Sequence, residues 1–144
     1  MTVNIGRITL HISTKDRHTE LYGLLQSLRT QTYQKFDIVL LDDASGAPIT
    51  QPSFLMIMFN RLKLEGHGLK IIRNNMSYGC CAARNKCIEM DDFENEFTCR
   101  LDDDILLEPD YFEKLLSVIS SGYDMASGVV PLLAHPEVKR IQNL

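Results

Sequence analysis

The sequence predicts an α/β fold in which helices pack on a largely parallel sheet. Three observations carry that expectation. Short apolar strands alternate with segments of helical period along most of the chain. One strand, Ile38-Val39-Leu40-Leu41, is apolar at every position, as a strand covered on both faces must be. The strand ends carry polar clusters, namely Ser-Thr-Lys-Asp-Arg, Asp-Asp-Ala-Ser, Arg-Asn-Asn-Met-Ser-Tyr-Gly and Asp-Asp-Asp.

The first strand is expected at Arg7–Ser13, where Ile8, Leu10 and Ile12 alternate with Thr9, His11 and Ser13, so that one face is buried. A helix follows at 19–32, with Leu21, Leu24, Leu25 and Leu28 on one stripe and Thr19 as its N-cap. The second strand runs from Phe36 and ends at Asp42-Asp43. A second helix spans 53–66 and is closed by Gly66, with its Met and Phe cluster as core. Residues 69–74 form a third strand, 80–90 a helix rich in small residues, and 96–101 a fourth strand ended by three aspartates. Pro109 suits the first turn of a helix over 109–121. Residues 125–130 are expected to form a fifth strand.

The 144 residues, 44% hydrophobic and 24% charged, suit one globular domain over 1–144. A net charge of −4 gives no generic attraction for nucleic acid. The cysteines Cys80, Cys81, Cys87 and Cys99 form no CxxC pair and are expected to be buried free thiols rather than zinc ligands. The N-terminus is too polar for a signal peptide, and no run reaches the about 18 apolar residues of a membrane span. The chain is therefore expected to be soluble and cytoplasmic.

Ligands of a parallel α/β sheet bind at the carboxyl ends of its strands, where the polar clusters fall. Asp102, Asp103 and Asp104 repel one another unless solvated or neutralised by a hard cation such as Mg²⁺ or Mn²⁺. In extended chain Asp102 and Asp104 share one side and Asp103 faces the other. His11 is expected to be structural, His67 a turn residue, and Tyr78 packed at a core edge rather than stacked on a base. Glu108 and Asp110 read as acids favouring a helix start.

These segments together resemble the family 2 glycosyltransferases of the GT-A fold. "HISTKDR…LLQSLRTQTYQKFDIVLLDDAS" is similar to that family's opening, "NNMSYGCCAARNKCI" to its "AARN" segment, and "LDDDILLEPDYFEKLL" to its DxD motif. The likeness runs in order from about Arg7 to about Val130. It implies a Rossmann-like three-layer sheet and a nucleotide-sugar donor, with a UDP-sugar favoured. It implies that Asp43, or its neighbour Asp42, hydrogen-bonds the base near Thr14, and that Arg84 helps hold the nucleotide. It implies Asp104 as the main ligand of Mn²⁺ or Mg²⁺, Asp102 beside the ribose or the metal, and Asp103 within the substrate site. The saccharide, lipid or protein acceptor is left unnamed.

Some positions depart from the pattern. Ser13 stands for its proline, Lys15-Asp16 for Tyr-Asn, and Ala44 and Cys87 for glycines; none is expected to break the fold, and Lys15 is expected to be solvated. The acids after the triplet fall outside the family's general-base position. The chain thus reads as the nucleotide-binding half of a transferase, with a fold incomplete at its C-terminal side and a sheet edge covered by self-association. A receiver-type phosphoryl-transfer domain would carry its acidic pair after the first strand, not the second. Leu107 stands where a calcium-binding EF-hand loop needs glycine, and no P-loop occurs. A non-catalytic nucleotide-binding or assembly module on the same fold is the alternative.

Overall fold

The computed structural model describes residues 6–129. Its elements are β1 (Ile8–Thr14), α1 (His18–Arg29), β2 (Phe36–Asp42), α2 (Ser53–Leu64), β3 (Leu69–Arg73), α3 (Cys80–Glu89), β4 (Phe97–Asp102) and α4 (Tyr111–Ser120). The strands lie in the order β3-β2-β1-β4, and every pairing is parallel. The chain steps outward from β1 through β2 to β3, then returns to the far side of β1. Because parallel crossovers are right-handed, that reversal sends α3 to the face opposite α1 and α2.

Strand alternation sorts the side chains between the two faces. Ile8, Leu10 and Ile12 of β1 and Phe36, Ile38 and Leu40 of β2 meet the leucine stripe of α1, the Leu55–Leu62 face of α2, and Phe112 and Leu116 of α4. The other face of β2, Val39 and Leu41, packs on Ala83 and Cys87 of α3. β2 is buried at all seven positions, as its apolar run predicts. α1 is stapled to the segment before α4: Gln31 Nε2 donates to the Glu108 carbonyl at 2.7 Å, and the Thr32 amide donates to the Pro109 carbonyl at 2.7 Å.

Several local expectations are corrected. β1 is buried on both faces, since Asp91 and Asn95, in the segment after α3, bond His11 and Thr9. His11 Nε2 meets Asp91 Oδ2 at 2.8 Å, a structural role. The N-cap of α1 is Arg17, and Thr19 bonds Glu20 instead. α4 starts at Tyr111 with Asp110 as N-cap, so Pro109 lies in the preceding turn. There Glu108 and Asp110 both pair with Lys114. His67 is buried and stacked on Phe36 at 4.0 Å. Tyr78 is 62% exposed rather than packed, and only Leu55, Met58 and Phe59 of the α2 cluster are core, since Phe54, Met56 and Ile57 face outward. Cys80 and Cys81 are exposed, while Cys87 is buried and its thiol is pushed up to about 11 by burial. Residues 125–129 form no strand, with Met125 and Val129 facing solvent; Val130 lies outside the described residues. Gly66 closes α2 with φ 92°, as expected.

Since β2 is walled on both faces, a cavity there cannot collapse easily. Leu40→Ala should cost about 2–5 kcal/mol, whereas Leu64→Ala, at an 83% exposed position, should change stability by less than about 0.5 kcal/mol. Urea denaturation of both variants checks the contrast.

Candidate functional site

The return of the chain across β1 creates a switch point between β1 and β4, the place where parallel α/β sheets open a crevice. A cleft of about 400 Å³ lies at this carboxyl edge, and Thr14, Arg17, Asp43, Arg84 and the three aspartates 102–104 line it. Thr14 joins its walls. Its carbonyl accepts the Asp43 amide at 2.9 Å, and its hydroxyl donates to Asp103 Oδ2 at 2.7 Å.

The three aspartates alternate in exposure, although the backbone leaves the strand after the first of them. β4 ends at Asp102 and the chain turns at Asp103-Asp104. Asp103 is buried against Thr14, while Asp102 and Asp104 are about half exposed. Arginines answer the charges. Arg17 Nη1 donates to Asp104 Oδ2 at 2.6 Å and to Asp103 Oδ1 at 3.3 Å. Arg84 Nη2 donates to Asp102 Oδ1 at 3.0 Å. Asp103, then Asp104, raises the Arg17 guanidinium above its ordinary value through charge.

Asp42 and Asp43 have separate surroundings. Asp42 is buried outside the cleft lining and accepts the Ser45 and Ile49 amides at 2.8 and 3.2 Å, together with Arg73. Asp43 lies on the cleft. Its oxygens accept Asn74 Nδ2 and Ser77 Oγ at 2.7 Å each, and the Tyr78 and Gly79 amides at 3.3 Å. Burial pushes both carboxyls up, but these hydrogen bonds outweigh it and leave each below the usual carboxylate value. Asp43 thereby clamps the 74–79 loop, where Gly79, at φ 85°, begins α3 in a conformation that favours glycine.

The donor set fits a hard divalent cation. Four carboxylates, Asp43 and Asp102–Asp104, line one cleft, and two of them, Asp102 and Asp104, are about half exposed. Among the described residues no three metal-ligating side chains are gathered into a cage. That suits an ion such as Mg²⁺ or Mn²⁺, which takes one or two carboxylates and fills its other positions with water and phosphate.

The sequence matches the model of glycosyl transferase family 2 over residues 9–138. The chain belongs to this family. It is 30% identical over 120 residues to EpsH of Bacillus subtilis (strain 168), named as a glycosyltransferase, with 82% of this chain and 32% of EpsH covered. The chain thus spans about a third of that relative's length. Among solved structures, Staphylococcus aureus TarS 1–349 in complex with UDP-GlcNAc aligns at a TM-score of 0.64 and 15% identity, over 90% of this chain and 38% of that one. GalNAc-T7 with UDP, GalNAc and Mn²⁺ aligns at 0.66 and 20%, over 83% and 21%. The mannosyltransferase PcManGT of Pyrobaculum calidifontis, in complex with GDP-Man and Mn²⁺, aligns at 0.55 and 18%, over 72% and 29%. At these identities the likeness speaks for the fold, which is the GT-A fold of glycosyltransferases, present here in part.

In this family 2 domain the sequence-predicted residues Thr14, Asp43, Arg84, Asp102, Asp103 and Asp104 meet on one cleft, and Asp42 does not join them. Sequence reasoning missed Arg17 and Ser77. Arg17 stands in the noted cluster at the end of β1, but its partner Asp103 is 86 positions away. Lys15 is exposed, as expected, and also lines the cleft.

Asp43→Asn keeps the shape but sets an amide donor against four donors, so it should cost about 1–3 kcal/mol at neutral pH. Asp43 is lowered in the folded state, so its stabilisation is complete above the unfolded carboxylate value, about 3.9, and is lost as pH falls through the lower folded value. The stability gap between wild type and variant in urea should therefore be full at pH 7 and shrink below about pH 4; a gap unchanged in acid would refute the clamp.

Proposed function

We propose that this domain binds the nucleoside-diphosphate sugar donor of a glycosyl transfer reaction, with a UDP-sugar favoured, through a divalent cation at the acidic triplet. The observation that carries the reading is the convergence of Asp43, Arg84 and Asp102–Asp104 on one cleft at the β1/β4 switch point. Membership of family 2 supports it, as do the nucleotide and Mn²⁺ named for neighbours of the same fold.

Each residue has a task that its surroundings suit. Asp104 and Asp102 are the exposed carboxylates and would hold Mn²⁺ or Mg²⁺. Asp103, buried on Thr14, fixes the turn that presents them. Asp43 and Thr14 form the base end of the site, where Asp43 holds the 74–79 loop in shape. Arg84 lies between Asp102 and the cleft, as a cation beside a diphosphate would. α3 opens on the same cleft at Gly79 and Cys80, and the positive end of its dipole favours an anion there. The cation, when bound, neutralises the diphosphate and stabilises it as a leaving group. The sugar then passes to an acceptor hydroxyl, and saccharide, lipid and protein acceptors all fit that chemistry.

Calorimetry of UDP, GDP and ADP with Mn²⁺ and with EDTA tests the proposal. UDP should bind most tightly, and only with metal. Asp104→Asn should weaken Mn²⁺-dependent UDP binding by at least about tenfold, the factor of a 1.4 kcal/mol loss. Asp103→Asn should chiefly lower the melting temperature. Equal UDP affinity in EDTA and in Mn²⁺ would sink the reading.

A further inference from the structure

The acidic triplet poses an electrostatic problem before any ligand arrives. Asp103 has no freedom to escape its neighbours: it is buried, and Thr14 holds one of its oxygens. Asp104 follows it directly. The charge of the pair is answered from another element. Arg17, 86 positions before Asp103, spans both carboxylates with one nitrogen, Nη1. Its backbone is fixed at the start of α1, where its carbonyl accepts the Leu21 amide at 2.9 Å. Its side chain is half exposed and lines the cleft. The root of Arg17 is therefore anchored while its guanidinium can leave into water.

Arg17 and a divalent cation would compete for Asp104 Oδ2. The nitrogen stands 2.6 Å from that oxygen, and Mg²⁺ would need to approach it to about 2.1 Å. Two cations that close repel each other strongly. Arg84 holds the third acid, Asp102, at 3.0 Å.

We propose that Arg17 is the built-in counter-ion of the acidic triplet, and that a divalent cation entering the cleft competes with it for Asp104. This rests on the metal reading given above. Arg17 then has two effects of opposite sign: it stabilises the metal-free domain and weakens metal binding. The competition is between cations at one carboxylate, with no covalent change.

Titrating the full chain with Mn²⁺, with free Mn²⁺ followed by electron paramagnetic resonance, separates the possibilities. Arg17→Gln should bind Mn²⁺ about two- to fivefold more tightly than wild type, the factor expected when a competing exposed ion pair is removed. Arg17→Lys, which keeps the charge but not the planar fork, should fall between them and carries the comparison if the glutamine variant fails to fold. In EDTA Arg17→Gln should melt below wild type, and saturating Mn²⁺ should narrow the gap. Unchanged or weaker Mn²⁺ binding in both Arg17 variants, with binding still lost in Asp104→Asn, would overturn the counter-ion role alone. Mn²⁺ binding unaltered in Asp104→Asn would overturn the metal site, and the counter-ion role with it.

Discussion

The site depends on β1 having a parallel strand on each side. β2 and β4 both register along it from Ile8, so their carboxyl ends arrive beside Thr14 together. Thr14 then uses its two oxygens in opposite directions, the carbonyl toward β2 and the hydroxyl toward the turn after β4. The cleft is the gap left where helices diverge from that junction. α1 and α2 cover one face of the sheet and α3 the other, and no helix seals the edge between them. The topology makes the opening, and the side chains at three strand ends furnish it.

Within that opening, charge is balanced by pairs drawn from separate elements. The β1–α1 loop supplies Arg17, α3 supplies Arg84, and the end of β4 supplies the acids. Each arginine crosses a boundary between elements, so the pairs report on whether the elements are assembled. The acids one strand further along behave differently. Asp42 adds the Ser45 and Ile49 amides to its pair with Arg73 of β3, and Asp43 is held by amides and polar side chains of the 74–79 loop. Carboxylates of similar sequence surroundings thus divide into two that shape the walls and three that face the ligand space.

Much of this was legible because it follows from period and position. The apolar run at Ile38–Leu41 could only be a strand covered twice, and β2 is buried throughout. The leucine stripe of α1 was equally plain. What escaped had its cause elsewhere in the chain. Thr19 has the chemistry of an N-cap, yet the loop from β1 delivers Arg17 to that place. Thr9 and His11 look like an outward face until Asp91 and Asn95, from the segment after α3, meet them. Residues 125–129 have the composition of a strand but pair with no strand among the described residues. Arg17 stood in view beside Thr14, but only the strand order reveals that β4, rather than β3, lies next to β1. Alternation sets Asp102 with Asp104, and the two share exposure, but the turn at Asp103 that follows the strand was not legible.

The Thr14–Asp103 bond closes a loop of 89 residues. The β1–β2 pairing, from Ile8 to Phe36, closes one far shorter. Closure entropy rises with the logarithm of length, so the longer ring is only modestly costlier, but it cannot close until α3 has crossed the sheet. Among the described residues β4 sits at an edge, as β3 does, and alternate residues along it are exposed. Detaching it breaks one strand ladder rather than two, and local opening tends to follow such units. The cleft depends on that edge ladder, while the core around β2 does not. Its lifetime is set by the hold on one edge strand, and any ligand bridging β1 and β4 lengthens it.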